Sequence, residues 1–131
     1  MKFPYYKLGP DLLPWIEAKI KNEDKEKTFI FLVDSGADYS IFGPEIAEFL
    51  EVNIKKGRRI KTGGLGGSAN TYYFEDIEID VGGESFPIIA GFIKDRVMDG
   101  QTAGILGRQG FFDYFKVCID EKNAEINLEP R

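Results

Sequence analysis

At 131 residues the chain fits one domain, spanning 1–131, and is long enough to bury a single core without covalent staples. Hydrophobic residues make up 43% and aromatics 14%, which excludes a disordered chain, and a net charge of −5 with a pI near 4.8 argues against a nucleic-acid partner, whose binding rests on clustered Lys and Arg. The chain has no histidine; Ser-His-Asp triads, Cys-His dyads and His-ligated zinc are therefore unavailable, and any hydrolysis falls to carboxylates.

From the N-terminus, residues 15–21 set Ile16, Ala18 and Ile20 against Trp15, Glu17, Lys19 and Lys21, a period of two that predicts a half-buried strand. Trp15 is expected in the core or at an interface. The charged run 22–27 reads as a solvated hairpin loop, and residues 28–33, nearly all apolar and β-prone, as a strand covered on both sides. Pro44 fits the first turn of a short helix in which Ile46, Phe49 and Leu50 recur at helical spacing. Residues 58–62 and 70–74 flank Gly63-Gly64-Leu65-Gly66-Gly67, so the simplest local structure is a β-hairpin with a flexible tip, packed by Tyr72, Tyr73 and Phe74. Ile77, Ile79 and Val81 alternate with Asp76, Glu78 and Asp80, and Gly82-Gly83 turns the chain into Phe86-Pro87-Ile88-Ile89. Beyond Gly107, the spacing of Phe111, Phe112 and Phe115 predicts a second short helix over 109–115. A last hairpin closes around Glu121-Lys122-Asn123.

The lone Cys118 permits no internal disulfide, suits a reducing compartment and is expected in the core. No apolar run approaches the ~20 residues that cross a bilayer, and Met1-Lys2-Phe3-Pro4 does not open a signal peptide. The expectation is a soluble, cytoplasmic protein without a membrane partner. Scattered Glu and Asp lack the spacing of a calcium loop and read as solvated surface; no metal and no cofactor is implied.

The most informative stretch is Phe31-Leu32-Val33-Asp34-Ser35-Gly36-Ala37-Asp38, where an ionisable carboxylate directly follows a run of buried-strand residues. A carboxyl group there is costly unless it is used. Asp34-Ser35-Gly36, the glycine cluster 63–67 and Ile105-Leu106-Gly107-Arg108, in that order and spacing, resemble the retropepsin-like aspartic proteases over about residues 14–130. That resemblance implies a mainly β fold: a closed, barrel-like protomer with a flap hairpin and two short helices, paired as a two-fold homodimer. It also implies an aspartic endopeptidase acting on peptides or proteins.

Metal-free peptide hydrolysis without a covalent intermediate needs a base for water and an acid for the leaving amine, and two adjacent carboxyls sharing one proton supply both. Asp34 alone is not enough. The nearest second candidate, Asp80-Val81-Gly82, lacks the hydroxyl and reads better as a strand entering a turn, so the second carboxylate comes from another copy across a two-fold axis. By the resemblance, Ser35 reaches across that axis, accepting from the amide of the partner's Ser35 and donating to the carbonyl of the partner's Val33. Gly36 lets the backbone lie close to substrate; Asp38 meets substrate main chain and pairs with Arg108; Ala37, Ile105, Leu106 and Gly107 brace the aspartate. Gly63, Gly64, Leu65 and Gly66 form the flap tip that holds substrate. Residues after Phe115 resemble the extra hairpin of cellular relatives more than the interleaved termini of viral ones.

Two other readings have their own marks. A catalytically silent peptide- or partner-binding module would use the same fold with no cleavage. Gly64, Gly66 and Ala69 also fit the dinucleotide pattern G-x-G-x-x-A, which must open a helix, whereas Asn70-Thr71-Tyr72-Tyr73-Phe74 is β-prone.

Overall fold

The computed structural model describes residues 1–64, 67–93 and 102–131, and for 61–64 and 67–69 the backbone alone. The chain begins with β1 (Lys2–Pro4) and a small hairpin of β2 (Tyr6–Leu8) and β3 (Asp11–Leu13). Next, β4 (Trp15–Asn22) buries Trp15, Ile16, Ala18 and Ile20 and turns Glu17 and Lys19 outward, as its alternation requires. It pairs antiparallel with β5 (Lys25–Val33) from Trp15 opposite Leu32 to Asn22 opposite Lys25. The charged loop expected over 22–27 is therefore only a turn at Glu23 and Asp24, the first with φ 57°. Its charges stand on exposed strand ends, where Lys19 and Glu26 approach to 3.4 Å across the pair. Nor is β5 covered on both faces: Phe29, Phe31 and Val33 are buried, while Ile30 and Leu32 are half-exposed.

After β6 (Ile41–Phe42) comes the expected helix, α1 (Pro44–Leu50), with Pro44 in its first turn, Ile46 and Ala47 buried, and Phe49 edge-on to Phe29 at 5.9 Å. A single 3₁₀ turn (Ile54–Lys56) leads to β7 (Arg58–Gly64), which pairs with the long β8 (Gly67–Val81) as a hairpin. Because residues 70–74 continue β8 and open no helix, the dinucleotide pattern lacks the context it requires. Beyond β8 lie β9 (Glu84–Ile93), β10 (Gly104–Leu106), β11 (Phe115–Asp120) and β12 (Glu125–Pro130).

The order β4-β5-β10-β6-β9-β8, closed by pairing of β8 back onto β4, makes a barrel, with β7 added to the far end of β8. One long strand serves three neighbours because β9 takes one edge of it over residues 71–81, while β7 and β4 share the other edge, β7 over residues 67–73 and β4 over residues 78–80. Phe31, Phe42, Phe92 and Leu106 fill the interior at 0–1% exposure, with Phe42 centred 5.4 Å from Phe31 and 6.0 Å from Phe92. Beside the barrel, β1, β12 and β11 form a three-stranded sheet. No helix among the described residues is long and apolar enough to cross a membrane.

The β8–β9 turn follows from Gly82 and Gly83, whose φ values of 61° and 92° suit residues without a Cβ. Asp80 fastens it, accepting from the Gly83 amide at 2.9 Å and the Ser85 hydroxyl at 2.9 Å. Partial burial opposes ionisation of Asp80, but the Ser85 and Gly83 bonds with Lys21 and Lys19 outweigh it and hold its carboxyl below the ordinary value of 3.8. A depressed folded-state value gives stabilisation that is present above the ordinary value and lost as pH falls through the folded one. Thermal unfolding followed from neutral pH to below that range should show Asp80→Asn losing less stability on acidification than wild type; parallel curves would exclude a role for Asp80.

Two expectations fail. The helix expected over 109–115 does not form: residues 110–114 are successive turns and Phe115 already opens β11, because Gly110 adopts φ 97° and the Phe112 and Asp113 amides reach back to Gly107 and Arg108. The helical spacing reflected burial of Phe111 against Phe115, 5.2 Å between centroids, which a turn achieves equally. Cys118 is exposed: on edge strand β11 the two-residue period turns Val117 inward and Cys118 out.

Candidate active site

Asp34 follows directly on β5, and β10 lies beside β5 in parallel, with Ile105 opposite Leu32 and Leu106 opposite Val33. Parallel neighbours need a long connection; here it is the seventy residues that separate the two motifs in sequence. The Asp34 amide donates to the Leu106 carbonyl at 3.0 Å, and the Val33 amide to Pro14 at 3.2 Å. Half-buried Asp34 accepts the Gly36 amide on Oδ1 at 2.9 Å, while its carbonyl accepts from Ala37 at 3.2 Å, so residues 34–37 close a tight turn around the carboxylate. A Cβ on Gly36 would stand 3.2 Å from that Oδ1. Ser35 and Gly36 are exposed.

Residues 105–108 brace this turn from below. Leu106 is fully buried, and Ile105 and Ala37 are half-buried. The Arg108 amide donates to Ala37 at 2.8 Å and the Gln109 amide to Asp38 at 2.9 Å. Between them Gly107 is pressed against backbone: a Cβ would sit 2.3 Å from the Tyr39 carbonyl oxygen and 2.9 Å from that of Ala37. The expected pair is formed, Arg108 Nη2 donating to Asp38 Oδ1, with both side chains largely in solvent. Its electrostatic contribution to stability is accordingly small.

Of the glycine cluster, Gly63 lies opposite Ser68 and Gly64 opposite Gly67; the expected flap tip at Leu65 and Gly66 lies outside the described residues. Among the described residues no group of three or more acidic, Cys or His side chains is placed to hold a metal ion.

Three features go beyond the sequence expectations. Residues 1–13 carry β1, which joins β12, and the β2–β3 hairpin, whose strands are too short to show periodicity. Ser40 is fully buried; its sequence signal is the period of two that sets it inward with Phe42. Tyr73 is buried with its ring 5.1 Å from that of Tyr39, and its hydroxyl has no hydrogen-bond partner among the described residues. Burial, reinforced by Tyr39 and Asp38 and opposed by Arg58, pushes that hydroxyl up to about 12. Because an orphaned buried hydroxyl costs about 1–3 kcal/mol, Tyr73→Phe should leave stability unchanged or raise it. Chemical denaturation measures this directly, and a clear loss would reveal a partner for the hydroxyl.

A family model described as aspartyl protease matches residues 16–109. No curated protein matches at a significant level. Among solved structures, similar chains include a retropepsin-like aspartic protease from Rickettsia conorii (19% identity, TM-score 0.60, covering 87% of this chain and 80% of that one). Another is the retroviral protease-like domain of Ddi1 from Leishmania major (20%, 0.59, 90% and 94%). A third is EIAV protease in complex with an inhibitor (22%, 0.54, 79% and 88%). At these identities the likeness establishes a shared fold.

Proposed function

Because this chain belongs to the aspartyl protease family and has the retropepsin-like fold, we propose that it is an endopeptidase whose site is completed by a second copy of itself. The observation that carries this reading is the fastening of Asp34: a half-buried carboxylate at a strand end, its amide tied to Leu106 and its Oδ1 to the Gly36 amide. Such fixing is wasted on a solvated surface residue and suits a group that must meet its twin at a set distance. Asp38, Gly63, Gly64, Leu65 and Gly66 are the proposed substrate contacts, and Ser35 the link across the axis.

In the dimer, like-charge repulsion leaves one proton shared by two Asp34 carboxyls. The ionised one takes a proton from a bound water, whose oxygen attacks the scissile carbonyl carbon. The protonated one donates to the carbonyl oxygen. As the resulting diol collapses, the carboxyl that took the water's proton gives it to the amide nitrogen while the C–N bond breaks, and the other carboxylate takes the proton of the diol hydroxyl that becomes the product carbonyl, so the pair again holds one proton. Substrates bind extended, adding a strand beside the β7–β8 hairpin, which acts as a flap whose tip amides hold the peptide backbone while side-chain pockets set preference.

The test is a mixed peptide library incubated with the purified protein from acid to neutral pH, with products read by mass spectrometry. Internal cleavage of library peptides is the expected result. Peptides retained but uncut at every pH would instead identify a binding module.

A further inference from the structure

Three main-chain rungs lace the Asp34 loop to residues 106–109, Asp34 to Leu106, Arg108 to Ala37 and Gln109 to Asp38, and the exposed Arg108–Asp38 pair joins them at the surface. A buried side chain adds two more bonds. Ser40 Oγ accepts from the Gly107 amide at 3.1 Å and donates to the Gln109 carbonyl at 3.0 Å, bridging 67 and 69 residues of sequence. Its own carbonyl accepts the Gly91 amide at 2.9 Å, so one residue ties the loop to the 107–109 segment and to β9. Ser40 is fully buried, and a Cβ added at Gly110 would stand 3.2 Å from its hydroxyl, so the chain after Gln109 passes close to it. A hydroxyl that satisfies one donor and one acceptor on the same short segment sets the height of that segment, and Leu106, one residue before it, holds the Asp34 amide.

We propose that Ser40 is a positioning residue for hydrolysis, its hydroxyl locking the loop on residues 107–109 and thereby setting where the Asp34 carboxylate stands relative to the second carboxylate across the axis. This role rests on the dimeric protease reading above. It requires only that the spacing of two coupled carboxyls matter to the chemistry, and misplacement of reacting groups by about 1 Å costs on the order of a hundredfold in rate. Substrate does not touch Ser40, so the loss falls on kcat and leaves binding nearly as it was.

The experiment compares Ser40→Ala, Ser40→Thr and Val81→Ala with wild type on one cleavable peptide, recording kcat, KM and thermal stability. Val81 is fully buried beside the Gly82-Gly83 turn, and its truncation destabilises the fold without touching the loop. Expected for Ser40→Ala is a kcat lower by about tenfold to a hundredfold with a KM within about threefold. Ser40→Thr keeps the hydroxyl and should recover kcat to within about threefold; Val81→Ala should lose stability at unchanged kcat. Should Ser40→Ala not fold, Ser40→Cys carries the test, a sulfur of similar size with weak bonds giving about a tenfold loss of kcat. Wild-type kcat in Ser40→Ala or Ser40→Cys, or an equal kcat loss in Val81→Ala, overturns the positioning role and leaves the protease reading standing. A wild-type protein that cleaves nothing overturns both.

Discussion

Asp34→Asn is expected to abolish peptide cleavage, by about 10³-fold or more in kcat, while the protein folds and pairs as before. The two side chains have the same shape, and an amide oxygen can still accept the Gly36 amide that Asp34 Oδ1 accepts at 2.9 Å. What the amide cannot do is take a proton from water or return one to a leaving nitrogen. Replacing a carboxylate at the axis also removes like-charge repulsion between copies, so sedimentation should show an assembly at least as firm as wild type. Residual cleavage within about tenfold of wild type would place the chemistry elsewhere.

Gly107→Ala should cost the fold about 3 kcal/mol and lower the melting temperature by about 10 °C. The added methyl meets the carbonyl oxygen and carbon of Tyr39 at 2.3 and 2.6 Å and the Ala37 oxygen at 2.9 Å. These are backbone atoms of the loop that carries Asp34, so no side-chain rotation relieves the contact. Either the loop lifts from residues 106–109, breaking the rungs from Arg108 and Gln109, or the segment withdraws and takes the Leu106 carbonyl from the Asp34 amide. Both routes disturb the aspartate, and cleavage should therefore fall more than stability alone explains. Calorimetry and kinetics on the same preparation separate the two losses; a melting temperature within about 2 °C of wild type would show that the packing is looser than these contacts indicate.

Local signals made much of this molecule legible. The period of two in β4 and at the end of β8, the paired glycines at 82–83 and Pro44 at the start of α1 each act within a few residues, and each element forms where its pattern points. Asp34, Gly107 and Arg108 were readable because the residue types themselves are unusual where they stand: a carboxylate after a buried strand, then a glycine and a cation after a short apolar run. Where the reading failed, a longer-range cause decided. Phe111 and Phe115 are four apart, yet Gly110 in the left-handed region ends any helix before it starts. Cys118 has an apolar character that predicts burial, but its position on edge strand β11 faces outward. The period of two points Ser40 inward, but its role was invisible because the groups it bonds, Gly107 and Gln109, lie 67 and 69 residues away. The proposed second carboxylate belongs to another copy, so a single sequence carries only the need for it.

That need is tested most directly by mixing subunits. Wild type and Asp34→Asn, each purified, are combined at a fixed wild-type concentration with increasing variant, allowed to exchange, and assayed on one peptide. If two copies share one site, an equal mixture leaves about half of the wild-type protomers in fully competent pairs, and excess variant drives activity toward zero. Activity that stays constant however much variant is added, with exchange verified by a labelled subunit, would show that each protomer works alone.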